Sequence, residues 1–162
     1  MFQRKQLSKE QALQKARHYC GYAERSHQDT KEKLYSFGLH KQDVEELLSQ
    51  LIEENYLNEE RFAVQFAGGH FRMKQWGRVK IRYELKQKRI SEYCIKKGMS
   101  EINEEDYLKT LQQLASKKWS SVRGEGVNHY VKQSKTTDYL LQKGYEPELI
   151  RQTIATLRKK EG

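Results

Sequence analysis

Three stretches of this 162-residue chain share one template. Leu34-x3-Gly38-Leu39-x4-Val44, Leu85-x3-Arg89-Ile90-x4-Ile95 and Leu140-x3-Gly144-Tyr145-x4-Ile150 recur about fifty residues apart. In each, a Leu closes one buried helical face and a turn residue follows. An apolar residue then anchors the turn, and a Val or Ile starts the next buried face. Glycine suits the turn because it takes the left-handed conformation without a Cβ penalty. Arg89 in its place costs on the order of 1 kcal/mol. Units of this length made of helices bury only small cores and gain stability by stacking on a neighbour. The repeat therefore predicts an all-α chain of about nine helices, in three-helix modules over residues 1–57, 58–102 and 103–162.

Apolar periodicity and capping residues place the helices. Ser8 with Gln11 resembles a capping box opening a helix over 9–24, and Ser26 with Asp29 opens a second that Gly38 ends. Val44, Leu47, Leu48 and Leu51 mark a third helix. Asn58 caps a fourth, with Glu59 and Glu60 complementing the helix dipole. Its expected buried face is Phe62, Ala63, Phe66, His70 and Met73, and Gly68-Gly69 is expected to bend or thin it. After a Trp76-Gly77 corner, Ile81 and Leu85 mark a fifth helix. A sixth runs from Ser91 through Ile95, with Gly98 closing it. Asn103 opens a seventh through Trp119. The loop SSVRGEG precedes an eighth ending near Lys143, and Pro147 sits in the first turn of a ninth, where its missing N–H is harmless.

Apolar residues make up 36% of the chain and charged residues 33%, a balance that suits a thin, elongated assembly better than one large core. The net charge of +9 comes in blocks: residues 62–98 carry ten Lys/Arg against two Asp/Glu, while 41–61 carry two against seven. A basic centre between acidic stretches points to an anionic partner, nucleic acid or nucleoprotein. No apolar run reaches the length of a membrane span, and MFQRKQLSKE lacks the apolar core of a signal peptide, so a cytoplasmic protein is expected. Cys20 and Cys94 are expected to be reduced packing residues. The five histidines lack metal-ligand spacing, and no cofactor is expected.

Enzymatic constellations are absent from the pattern. Glu45-Glu46, Glu53-Glu54, Glu59-Glu60 and Glu104-Glu105-Asp106 are sequence neighbours that point to different sides of a helix, which suits capping and solvation. Gly68-Gly69 belongs to no phosphate-cradling loop, and no nucleophile motif occurs. A binding protein is expected. Its candidate surface is a basic stripe of Arg78, Arg82, Lys86 and Arg89 beside the Ile81/Leu85 face. Arg72 and Lys74 lead into it, and Lys96, Lys97, Lys117 and Lys118 extend it. Such a stripe can track phosphates; the competing reading is a solvated helix face. Trp76 and Trp119 are expected to pack at helix ends.

Leu57-Asn58-Glu59-Glu60-Arg61-Phe62-Ala63, then Trp76-Gly77, Ile81, Glu84-Leu85 and Lys88-Arg89-Ile90, resemble the central repeat of the RecX family, regulators of the RecA recombinase. Arg89 and Asn58 depart from it where the family often has Gly and Asp. The resemblance implies tandem three-helix modules in a curved, elongated body along the groove of a RecA filament on single-stranded DNA. It implies a monomer that restrains the filament's ATPase, strand-exchange and coprotease activities. Two other readings compete: a general nucleic-acid-binding helical protein, and a protein-only adaptor gripping an acidic partner.

Overall fold

The computed structural model describes residues 6–161, and among them nine α-helices follow one another without a strand. They are α1 (Lys9–Tyr22), α2 (His27–Ser36), α3 (Lys41–Glu53), α4 (Glu59–Lys74), α5 (Arg78–Gln87), α6 (Glu92–Ser100), α7 (Glu104–Ser121), α8 (His129–Lys143) and α9 (Pro147–Glu161). No helix among the described residues is long and apolar enough to cross a membrane. The expectation that the N-terminus lacks a signal-peptide core rests partly on the first five residues, which lie outside the described ones.

The repeat template appears in the backbone itself. Leu34, Leu85 and Leu140 are fully buried, and Val44, Ile95 and Ile150 are buried as the next helix begins. Between them Gly38, Arg89 and Gly144 all have positive φ, at 86°, 61° and 97°. The turn is closed the same way in the later two copies. Ile90 donates its N–H to the Leu85 carbonyl and Tyr145 donates to that of Leu140, both at 3.1 Å. Arg89 therefore adopts the left-handed conformation that the template demands, without being glycine.

Caps start the helices where the sequence places them. Ser8 and Gln11 form a reciprocal capping box on α1, and Ser26 and Asn103 accept N–H groups at the starts of α2 and α7. Asn58 accepts from the Arg61 N–H at 2.8 Å. Asn128 caps α8 after the SSVRGEG loop in the same way. The first helix is shorter than its apolar pattern suggests, ending at Tyr22, because Ser26 must be extended to cap α2 and needs a linker before it.

Two compact units result: residues through Gln65 together with Leu85–Gly98, and Phe66–Glu84 together with Met99 onward. In the first unit, Ala12, Ala16 and Cys20 of α1 meet Leu34, Val44, Leu47, Leu51 and Leu57 in one core. Cys20 is a buried free thiol 3.8 Å from the Thr30 hydroxyl. Ion pairs tie its elements: Arg17 to Glu54 at 2.6 Å, Lys88 to Asp29 at 3.1 Å, and Arg61 to Glu24. The Ser91 N–H donates to the Glu59 carboxylate at 2.9 Å. Gly98, expected to close α6, lies inside it instead. A Cβ there would come within 2.6 Å of the Ala63 carbonyl oxygen, so glycine is required by the close approach of α6 to α4 rather than by a turn.

The second unit is built around two aromatic groups. Phe71, Tyr107 and Tyr145 are buried ring against ring, with centroids 5.7 Å and 5.1 Å apart. The Gly77 N–H donates to the Lys143 carbonyl at 2.8 Å, and Val79 donates to Gly144 at 2.9 Å. At that crossing, a Cβ on Gly77 would collide with the Gly144 backbone and one on Gly144 with Lys80. Trp119 is buried and donates from its indole to Glu161 at 2.6 Å. The buried face of α4 includes Phe62 and Ala63 as expected and departs from the expected one further along. Ala67 and Phe71 are buried, Phe66 and His70 are only half-buried, and Met73 is exposed. The reason is that Phe66 and His70 stack toward Trp76 beyond the helix end, with His70 to Trp76 centroids 4.6 Å apart. Helix α4 continues through Gly68-Gly69, and the space over Gly68 is taken by the Arg72 guanidinium.

Candidate partner-binding surface

The basic residues singled out from sequence fall into both units and into different environments. Arg78, at the start of α5, is the most embedded. It ion-pairs with Glu146 at 2.9 Å and with Glu104, and its guanidinium lies 3.8 Å from the centroid of the Tyr107 ring. Its backbone N–H also donates to the Tyr107 hydroxyl at 3.0 Å, while that hydroxyl donates onward to Glu146. Burial works against the charge on Arg78, but the hydrogen bond to Glu146 and the surrounding carboxylates outweigh it and raise its pKa. Burial likewise pushes the Tyr107 phenol far above its usual range; the Arg78 N–H opposes this and Glu146 adds to it. Arg78 thus holds α5, α7 and the start of α9 together inside the second unit.

The other second-unit residues are more open. Lys74 is exposed, and its ammonium sits 5.3 Å from the Trp76 ring, which Lys80 approaches to 4.6 Å. Each cation is attracted by the negative face of the indole, so this half-buried ring concentrates positive charge around itself. Arg72 is exposed and lies back along α4 over Gly68, and Arg82 is half-buried. Lys117 and Lys118 sit side by side on α7. Lys117 lines two adjoining grooves, and Lys118 lies 5.3 Å from the Tyr139 ring, which Lys143 also approaches.

The larger of these grooves, of about 650 Å³, runs between α7 and α9 and has no carboxylate in its lining. Lys109, Lys117 and Lys160 supply its charge, and Ser116, Ser120 and Gln113 its polar wall. Sequence reasoning missed Lys109 and Lys160. Lys109, Gln113, Ser116, Lys117 and Ser120 recur at helical spacing, so half of the groove was readable as a polar face. Lys160 reaches it only because α9 packs against α7.

In the first unit, Lys86 forms an exposed ion pair with Glu92 at 3.2 Å, and Lys97 lies 5.7 Å from the Tyr93 ring. Arg89 and Lys96 are exposed, Arg89 at the left-handed turn and Lys96 on α6. An exposed pair such as Lys86 with Glu92 contributes little to stability. Both partners therefore keep their charge accessible.

Helical modules with buried turn anchors, and lysine-lined grooves free of acid, define a helical-repeat protein whose surface is suited to an anionic partner. Comparison with known proteins identifies the lineage. The second three-helix domain of RecX matches residues 58–99, and the third matches residues 104–154. The chain is 30% identical over 146 residues to the regulatory protein RecX of Prosthecochloris aestuarii, covering 90% of this chain and 93% of that one. It is 31% identical over 108 residues to the regulatory protein RecX of Vibrio parahaemolyticus, covering 67% and 68%. With that of Clostridium perfringens it shares 28% over 137 residues, 85% of this chain and 64% of that one. The crystal structure of RecX from Lactobacillus salivarius has the same fold, with a TM-score of 0.80 at 21% identity over 93% of this chain and 96% of that one. This chain belongs to the RecX family of regulatory proteins.

Proposed function

We propose that this protein binds RecA recombinase filaments assembled on single-stranded DNA and modulates their ATPase, strand-exchange and coprotease activities. It acts as a cytoplasmic monomer by binding rather than by catalysis, and its three three-helix modules span 1–57, 58–102 and 103–162. The observation that carries this reading is family membership across both matched three-helix domains. The acid-free lysine surfaces support it, because a nucleoprotein filament presents phosphates and such surfaces attract them. Arg72, Lys74, Arg82, Lys117 and Lys118 on the second unit, and Lys86, Arg89, Lys96 and Lys97 on the first, contact the partner. Arg78 serves the surface by holding α5 in place.

The test is ATP hydrolysis by RecA filaments preassembled on single-stranded DNA, with this protein added below stoichiometry. Wild type is expected to suppress the rate. A Lys74→Glu/Lys117→Glu/Lys118→Glu variant, shown by circular dichroism to be folded, is expected to lose most of that effect. No change in rate with wild type and a RecA from the same organism would overturn the reading. Equal suppression by both proteins would move the contact away from these lysines.

A further inference from the structure

A second basic surface lies on the first unit and belongs to none of the residues above. The second half of α1 and the end of α2 enclose a concavity of about 570 Å³, lined chiefly by Lys15, His18, Tyr19, Tyr22, Arg25 and Lys33. No carboxylate is among its lining residues. Neighbouring acids are already engaged: Asp29 holds the Lys88 ammonium at 3.1 Å, Glu32 accepts from the Gln28 amide at 3.2 Å, and Glu24, next to Arg25 in the chain, is ion-paired with Arg61.

The cations are ordered against rings. Arg25 donates from Nε to the Tyr19 carbonyl at 3.1 Å, which caps the end of α1 and fixes the guanidinium 3.9 Å from the Tyr19 ring centroid. The Lys33 ammonium lies 5.4 Å from the Tyr19 ring and 5.8 Å from that of Phe37. Tyr22, one turn beyond His18, is 82% exposed. Lys15 and His18 are also exposed, on the same helix.

An exposed ring beside several cations and no acid suits a ligand that joins a flat π-face to an anion. An unpaired nucleotide has both, and base stacking on an aromatic side chain tolerates any sequence. A duplex buries the faces of its bases, and an acidic peptide supplies charge without a regular supply of rings. We propose that this concavity binds single-stranded nucleic acid, with a base stacked on Tyr22 and flanking phosphates held by Lys15 and Lys33. The site is independent of the lysines assigned to RecA and of any recombinase.

Two measurements on the full chain test it. A thymidine oligonucleotide carrying 5-iododeoxyuridine, irradiated in complex with the protein, is expected to cross-link within the tryptic peptide His18–Arg25. Fluorescence anisotropy then compares thymidine strands with abasic strands of equal length. Tyr22→Ala is expected to weaken binding to the thymidine strand by about fivefold or more and leave the abasic strand unchanged. Lys15→Gln/Lys33→Gln is expected to weaken both and to reduce the salt slope by roughly one to one and a half. Tyr22 and both lysines are exposed, so these variants should keep the wild-type circular dichroism and melting temperature. The proposal is overturned if wild type does not bind the bare strand, if the cross-link falls only elsewhere, or if Tyr22→Ala leaves thymidine affinity unchanged or weakens both strands equally. The Lys74→Glu/Lys117→Glu/Lys118→Glu variant is expected to retain the cross-link, so failure at this site and failure of the RecA reading are separately visible.

Discussion

Arg89 is the residue at which local preference and module geometry disagree. It stands at φ 61°, where Gly38 and Gly144 serve in the other copies. A residue with a Cβ is disfavoured there by on the order of 1 kcal/mol. Replacing Arg89 by Gly also loosens the unfolded chain, which offsets part of the gain. The net expectation is a small rise in the melting temperature of Arg89→Gly, read by circular dichroism. A clear fall would mean that the Arg89 side chain itself holds the turn. The turn was legible because its neighbours, Leu85 and Ile90, occupy template positions that are buried in all three copies. The role of Arg78 was not legible. A basic residue on a basic helix gives no sign of the two carboxylates that meet it, since Glu104 and Glu146 lie 26 and 68 positions away.

Helices α4 and α6 show how the same residue type serves opposite purposes. Gly69, inside α4, has nothing within 4 Å of the place a Cβ would occupy, so its only effect is the entropy it adds to the unfolded chain. Gly69→Ala is expected to stabilise the protein by about 0.5–1 kcal/mol. Gly98→Ala would drive a methyl against the Ala63 carbonyl of α4 and is expected to destabilise by about 1–3 kcal/mol, because backbone cannot yield as a flexible side chain does. Urea melts of both variants would show midpoints displaced in opposite directions. Two midpoints moving the same way would refute the close approach of α6 to α4. In the sequence Gly98 reads as a stop signal, since glycine after an apolar face usually is one. Met73 falls on the expected buried face for a similar reason: periodicity counts apolar residues but does not register that Phe66 and His70 are drawn to Trp76.

For the molecule as a whole, the alkaline limb of stability reports on the second unit. Burial raises the Tyr107 and Tyr145 phenols well above the ordinary value of 10.0. The folded protein therefore keeps both protons at pH values where the unfolded chain releases them. Their contribution is fully present below about pH 10 and is lost as pH rises from there toward the folded values. Tyr107→Phe is expected to flatten the fall of the urea midpoint between about pH 9 and 11. It also lowers stability at neutral pH by about 1–3 kcal/mol, because the Arg78 N–H and Glu146 lose their shared partner. An unaltered alkaline slope would place the titration elsewhere. Helix number, most caps, the three repeat turns and the three-helix repeat followed from sequence alone, because each depends on neighbours within a few residues: a cap reaches three positions, and a buried stripe repeats every three or four. The acid-free groove between α7 and α9, the partial burial of Arg78 and the aromatic concavity beside Tyr22 were decided only by tertiary packing. Each depends on which charges and rings from distant segments become neighbours, and on which carboxylates are already paired, and no local spacing in the chain records either.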